Sequence, residues 1–187
     1  EESPPGSPYL SDWRMERSAV GFGDLHRAEV IVASDGAPDV HYLLAVAHAD
    51  GLNGTRWRTD VSLHNPGATE ARVAVAALLQ GHDNDRPRRV ERVLPAGRSE
   101  RLVDVLGNLF GVPGIGALRL EVASGEVLAL SRTYTLVGGG SCGQSMPALN
   151  AAAAVPADGE ARLIGLTRAA GLESGYRCNL GMLNTAA

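Results

Sequence analysis

Apolar and polar residues alternate along most of this chain in short runs, and the runs end at Gly, Pro, Asn or Asp. That two-residue period predicts half-buried strands. Tyr42–Ala47 reads as a strand, followed by a loop over Asp50–Gly54. Arg56–His64 follows, with Trp57, Thr59, Val61 and Leu63 on one face. Asn65-Pro66-Gly67-Ala68 is a turn, because Pro presets φ and Gly supplies positive φ. Glu70–Leu79 then returns with Ala71, Val73, Val75 and Ala77 on one face, so these two runs predict a β-hairpin. Arg89–Leu94 is the next strand, set between the polar loop 81–87 and the turn Pro95-Ala96-Gly97. One segment breaks the pattern. Leu102, Val105, Leu106 and Leu109 follow helical spacing and predict a single short helix over Leu102–Phe110. Ala117–Val122 and Val127–Leu136 predict a second hairpin, and Gly138-Gly139-Gly140-Ser141 reads as a loop. Upstream, Ala28–Val32 reads as a short strand before the turn cluster Ser34–Asp39.

Many short strands with one helix predict an all-β fold, specifically an antiparallel immunoglobulin-like β-sandwich. A piece of the pattern also occurs twice. Trp57, Arg58, Asp60 and Asn65 return at one constant offset as Tyr176, Arg177, Asn179 and Asn184. Upstream, Leu43-Leu44-Ala45-Val46 matches Leu163-Ile164-Gly165-Leu166. The interval is about one domain long, too long for a solenoid repeat. The expected organisation is therefore an extended N-terminal arm over 1–27, rich in Pro, Gly, Ser and charge, and a β-sandwich module over 28–150. An Ala/Pro linker over 151–160 follows, and 161–187 is a partial second repeat carrying the opening strands of a similar module. Residues shared by both copies are expected to maintain the fold, with Arg58 and Asp60 bracing a neighbouring loop.

Composition narrows the function. The net charge of −4 lacks the dense basic surface that nucleic acid requires. All 17 basic residues are Arg, which fits a GC-rich coding genome. No apolar run approaches the roughly 18 residues of a membrane span. Aromatic residues are only 4%, so the core must rest on Val, Leu, Ile and Ala.

Candidate chemistry is sparse. His82, Asp83 and Asp85 form the best metal-ligand group, since alternate carboxylates offer oxygen ligands to a hard cation. A solvated turn fits the same residues, because the loop lacks the Gly and distal Glu of a calcium loop. Cys142 and Cys178 are a disulfide candidate that would tie the module to the second repeat. The glycine run before Cys142 opens no predicted helix and precedes no Lys, so it reads as a flexible loop and not as a phosphate cradle. Tyr134 is expected to act as a corner tyrosine whose hydroxyl bonds backbone. Trp13 and Phe22 in the arm, with Tyr176, are candidate partner contacts. No catalytic, cofactor or metal residue is assigned.

The blocks Ala47–Asp60, Leu63–Gly67, Asp104–Gly111, Gly116–Leu120, Ser131–Tyr134 and Gly143–Ala148 resemble a tandem β-sandwich repeat found in secreted proteins of GC-rich environmental bacteria. The resemblance covers Tyr42 to Asn184. It implies an extracytoplasmic, non-enzymatic module: periplasmic, cell-surface or secreted. The function expected is structural or protein–protein contact, as an accessory subunit of a larger assembly or an adhesion element. Contact with a protein partner or a further copy is expected through edge strands and the N-terminal arm. A carbohydrate-binding module is the alternative, and a metal- or Cys-dependent hydrolase the third reading.

Overall fold

The computed structural model describes residues 16–18, 25–27, 39–156, 158–162 and 181–185. The chain divides at Pro38 into a small N-terminal unit and a large unit beginning at Asp39. In the first, β1 (Glu16–Ser18) pairs antiparallel with β2 (Leu25–Arg27), with Arg17 opposite His26. Trp13, Phe22 and the strand expected at Ala28–Val32 lie outside the described residues.

The second unit is antiparallel β. Its strands are β3 (Asp39–Asp50), β4 (Arg56–His64), β5 (Ala71–Leu79), β6 (Arg89–Leu94), β7 (Ser99–Leu102), β8 (Gly114–Ser124), β9 (Leu128–Val137), β10 (Gly140–Pro147) and β11 (Leu149–Asn150). Hydrogen bonds link them in the order β10-β9-β4-β3-β8-β5-β6, with β11 added to β3 and β7 to β4. The all-β class expected from the sequence is the class the chain adopts. Its strands form one open sheet, and the two-layer immunoglobulin arrangement remains a finer expectation.

Neither expected hairpin forms. β4 pairs with β3, β7 and β9, whereas β5 pairs with β6 and β8. β8 lies between β3 and β5, and β9 between β4 and β10. The reason lies in the connection after β4. Asn65, fully buried, closes its own turn by accepting from the Gly67 N–H at 2.9 Å and donating to Thr69 O at 2.7 Å. Its amide also donates to Leu94 O at 2.9 Å, and its backbone N–H donates to Arg98 O at 2.9 Å. The chain is thus tied to the turn between β6 and β7, not doubled back on β4. β5 is buried on both faces from Val73 to Leu78, as a strand flanked by two neighbours and rich in Ala allows.

One buried cluster holds the unit together. Leu43 and Val46 of β3, Val61 and Leu63 of β4, Val73 and Val75 of β5, Leu118 and Leu120 of β8, and Leu106 and Phe110 meet in it. A smaller cluster of Tyr42, Leu78 and Ala117 is covered by Leu183 from the C-terminal segment 181–185, which adds no strand. Asn184 beside it is exposed, unlike its sequence match Asn65.

The expected helix shrinks to a single π-type turn, Val105–Leu109. Leu102 instead ends β7, opposite Val61. Asp104 then takes a left-handed conformation (φ 46°, ψ 63°), which no α-helix can propagate through.

Candidate functional site

Two features of the second unit stand out: a charged network at one end of β4 and an unguarded strand edge at β10.

The network begins with Asp60, whose side chain is only 4% exposed although it carries a charge. A carboxylate is buried only when its oxygens are satisfied. Here Oδ2 accepts from Arg101 Nη2 at 2.6 Å, and Oδ1 accepts from the backbone N–H of Asp104 at 2.9 Å. The hydrogen bond that Arg101 donates to Asp60, and then the charge of Asp60, hold the Arg101 guanidinium pKa above its ordinary value. Asp104 in turn accepts from His48 Nδ1 at 2.8 Å (Oδ2) and 2.9 Å (Oδ1), and lies 3.5 Å from Arg58 Nε. Arg58 also donates to Trp57 O at 2.7 Å. Gly107 packs so closely on the His48 imidazole and the Asp104 carboxylate that a Cβ there would strike both. Arg58 and Asp60, the pair expected to brace a loop, therefore both hold Asp104 in the segment after β7.

A His–carboxylate pair orients an imidazole for proton transfer. Among the described residues, however, no hydroxyl or thiol is hydrogen-bonded to His48. The geometry is that of a latch. Asp60 holds the backbone N–H of the left-handed Asp104, and His48 and Arg58 hold its carboxylate, which is how a strained conformation persists.

A second polar chain lies beneath it. β3 bulges between Leu43 and Val46. The Ala47 N–H donates to Thr59 Oγ1 at 2.8 Å, and Thr133 Oγ1 donates to Ala45 O at 2.5 Å. The two hydroxyls are 2.8 Å apart. Because Thr133 spends its proton on Ala45, Thr59 must donate to Thr133. Two side chains thus complete the ladder that the bulge interrupts.

The remaining sequence candidates are scattered. His82, Asp83 and Asp85 are exposed, and Asp83 Oδ1 accepts the Asp85 N–H at 2.9 Å as a local turn. Asn84, which sequence reasoning passed over, organises that loop by bonding Leu79 N, Leu79 O and His82 O. Among the described residues, no three His, Cys, Asp or Glu side chains gather as a metal site. Cys142 is exposed and unbridged, while Cys178 and Tyr176 lie outside the described residues. Tyr134 is no corner tyrosine. It faces outward on β9, its ring 4.8 Å beneath the Arg132 guanidinium. Tyr42 is buried and Trp57 half-buried.

The strand edge is a different kind of feature. β10 pairs with β9 from Gly140 opposite Val137 to Pro147 opposite Leu130, and among the described residues it ends the strand order. All its residues except Met146 are exposed, and none is charged. Gly143 sits so close to Thr133 O and Tyr134 that only glycine fits. Alongside, the outward face of β9 exposes Leu128, Leu130 and Leu136, the last at 75%. The start of this strand falls in the run Gly138–Ser141 that the sequence predicts as a loop, because Gly and Ser carry no β pattern.

No protein-family model matches the chain, and no curated protein matches it in sequence. Among solved structures the chain is similar to one titled "Crystal Structure of Thermotoga maritima 1070", with 14% identity and a TM-score of 0.47. The match covers 62% of this chain and 96% of that one. Among the described residues, no helix is long and apolar enough to cross a membrane.

Proposed function

We propose that this protein is a non-enzymatic, extracytoplasmic module that works by holding another polypeptide, as a structural or accessory element of a larger assembly. The observation that carries this reading is the β10 edge. A long exposed strand presents unpaired backbone donors and acceptors, and proteins normally guard such an edge with charge, proline or a bulge. Here the guard is missing along Gly140–Met146, and the adjoining β9 face adds apolar area. Strand addition at such an edge is a general mode of peptide recognition: backbone hydrogen bonds supply affinity and neighbouring side chains supply selectivity. The extracytoplasmic setting rests on the secreted-repeat resemblance.

Affinity purification from the native source tests the proposal, using the full chain beside two surface variants, Ser145→Lys at the edge and Leu136→Asp on the β9 face. Partners retained by the wild-type chain are expected to be lost from both variants while circular dichroism stays unchanged. Identical sets of retained proteins from all three chains would contradict it.

A further inference from the structure

The opposite edge of the sheet shows what a guarded strand looks like in this protein. β6 carries Arg89, Glu91 and Arg92, with Arg89 paired to Glu121 at 3.0 Å and Arg92 to Glu100 at 3.1 Å. β10 has no charged residue from Gly140 to Pro147. That contrast bears on which strand can dock there. When a strand pairs with a copy of itself, each residue faces a residue of the same segment. Any unbalanced charge is then set near its own duplicate, which is destabilising. An uncharged strand escapes this penalty.

We propose that the chain added at this edge is β10 of a second copy, giving a two-fold dimer through antiparallel β10–β10 pairing. This rests on the docking reading above and names its partner. The symmetry then fixes the register. A two-fold axis relating antiparallel neighbours stands perpendicular to the sheet, so each copy keeps the same face outward. Directly opposed residues share a face, and side chains alternate faces along a strand. The sums of paired residue numbers must therefore be even. For the overlap to span most of Gly140–Pro147, the axis passes at Gly143 or at Gln144. With Gly143 on the axis, Ser141 faces Ser145 of the second copy. With Gln144 on the axis, two Gln side chains meet and can exchange amide hydrogen bonds. Either way, Leu130 and Leu136 of both copies lie on one face of the extended sheet, making a larger apolar surface than one copy offers. Arg132, the charge nearest in register, is one strand back and donates to Ser141 Oγ at 2.6 Å.

Sedimentation velocity on the purified full chain, from about 1 to 100 µM, tests this. The wild-type chain is expected to approach twice the 19.5 kDa of one chain as concentration rises. Ser145→Lys and Gln144→Lys, one on each face of β10, are expected to weaken the dimer at least about tenfold with unchanged circular dichroism. A wild-type monomer across the range overturns the proposal. So does a dimer indifferent to both lysines. Were the purified chain monomeric while a variant-sensitive partner still co-purified, the second copy would be refuted and the docking reading would stand. Loss of both results would refute both.

Discussion

The carboxylate of Asp60 on β4 accepts the backbone N–H of Asp104 at 2.9 Å, and so a nearly inaccessible side chain pins a left-handed residue 44 positions further along the chain. Removing it leaves that N–H and the Arg101 guanidinium without their acceptor. Asp60→Ala is expected to cost about 2–3 kcal/mol in urea denaturation, and Asp60→Asn less, since one acceptor oxygen survives. Arg101→Ala is expected to change stability far less, because its side chain is 64% exposed. The raised Arg101 pKa means its contribution is complete below the ordinary arginine range and is lost only above it. The Arg101→Ala effect should therefore not fall as the pH is raised from about 7 to about 9.

Asp104 separates strain from bonding. Glycine relieves the left-handed backbone but forfeits the carboxylate that His48 and Arg58 hold. Alanine forfeits the carboxylate and keeps the strain. Asp104→Ala is expected to be less stable than Asp104→Gly by about 1 kcal/mol. Equal midpoints in denaturation would show that the conformation costs nothing.

The threonine relay should behave as a unit. Thr59→Val and Thr133→Val are each expected to cost about 1–2 kcal/mol, since either strands a backbone group of β3. The double variant should cost clearly less than their sum. Additivity in a double-mutant cycle would mean the hydroxyls do not exchange a hydrogen bond.

Asn65 has no solvent exposure and bonds Thr69 O, Leu94 O and the Gly67 N–H. Asn65→Ala is expected to lower stability by about 2–4 kcal/mol, visible as a shifted urea midpoint. A loss below about 0.5 kcal/mol would remove Asn65 from its role as the anchor that carries the chain from β4 to β5.

Alternation made several elements legible from sequence. β4 and β6 have the bounds expected, because apolar residues at period two report a half-buried strand directly, and β5 differs by one residue at its start although it is buried on both faces from Val73 to Leu78. Pairing was not legible. Nearness in sequence suggested that β4 and β5 form a hairpin, yet the decisive fact is where the Asn65 amide points, and that is a tertiary fact. The helix expected at Leu102–Phe110 is cut short for a local reason: Asp104 is left-handed, and Asp60, His48 and Arg58 all hold it. Arg58 and Asp60, expected from the sequence to brace a neighbouring loop, do lie in the latch. His48 and Asp104 carried no such expectation, since their meeting depends on β3 and the segment after β7 lying together. β10 was half hidden because a strand of Gly, Ser, Cys and Gln is held by its partner β9 and not by its own pattern.

Hydrogen–deuterium exchange tests most directly whether the β10 edge is the surface given over to another chain. The backbone of Gly140–Pro147 is to be compared with that of Arg89–Leu94, in the dilute chain and in its purified complex. Slowed exchange in β10 alone is the expected result, with β6 unchanged. Unaltered β10 exchange beside new protection elsewhere would contradict the account.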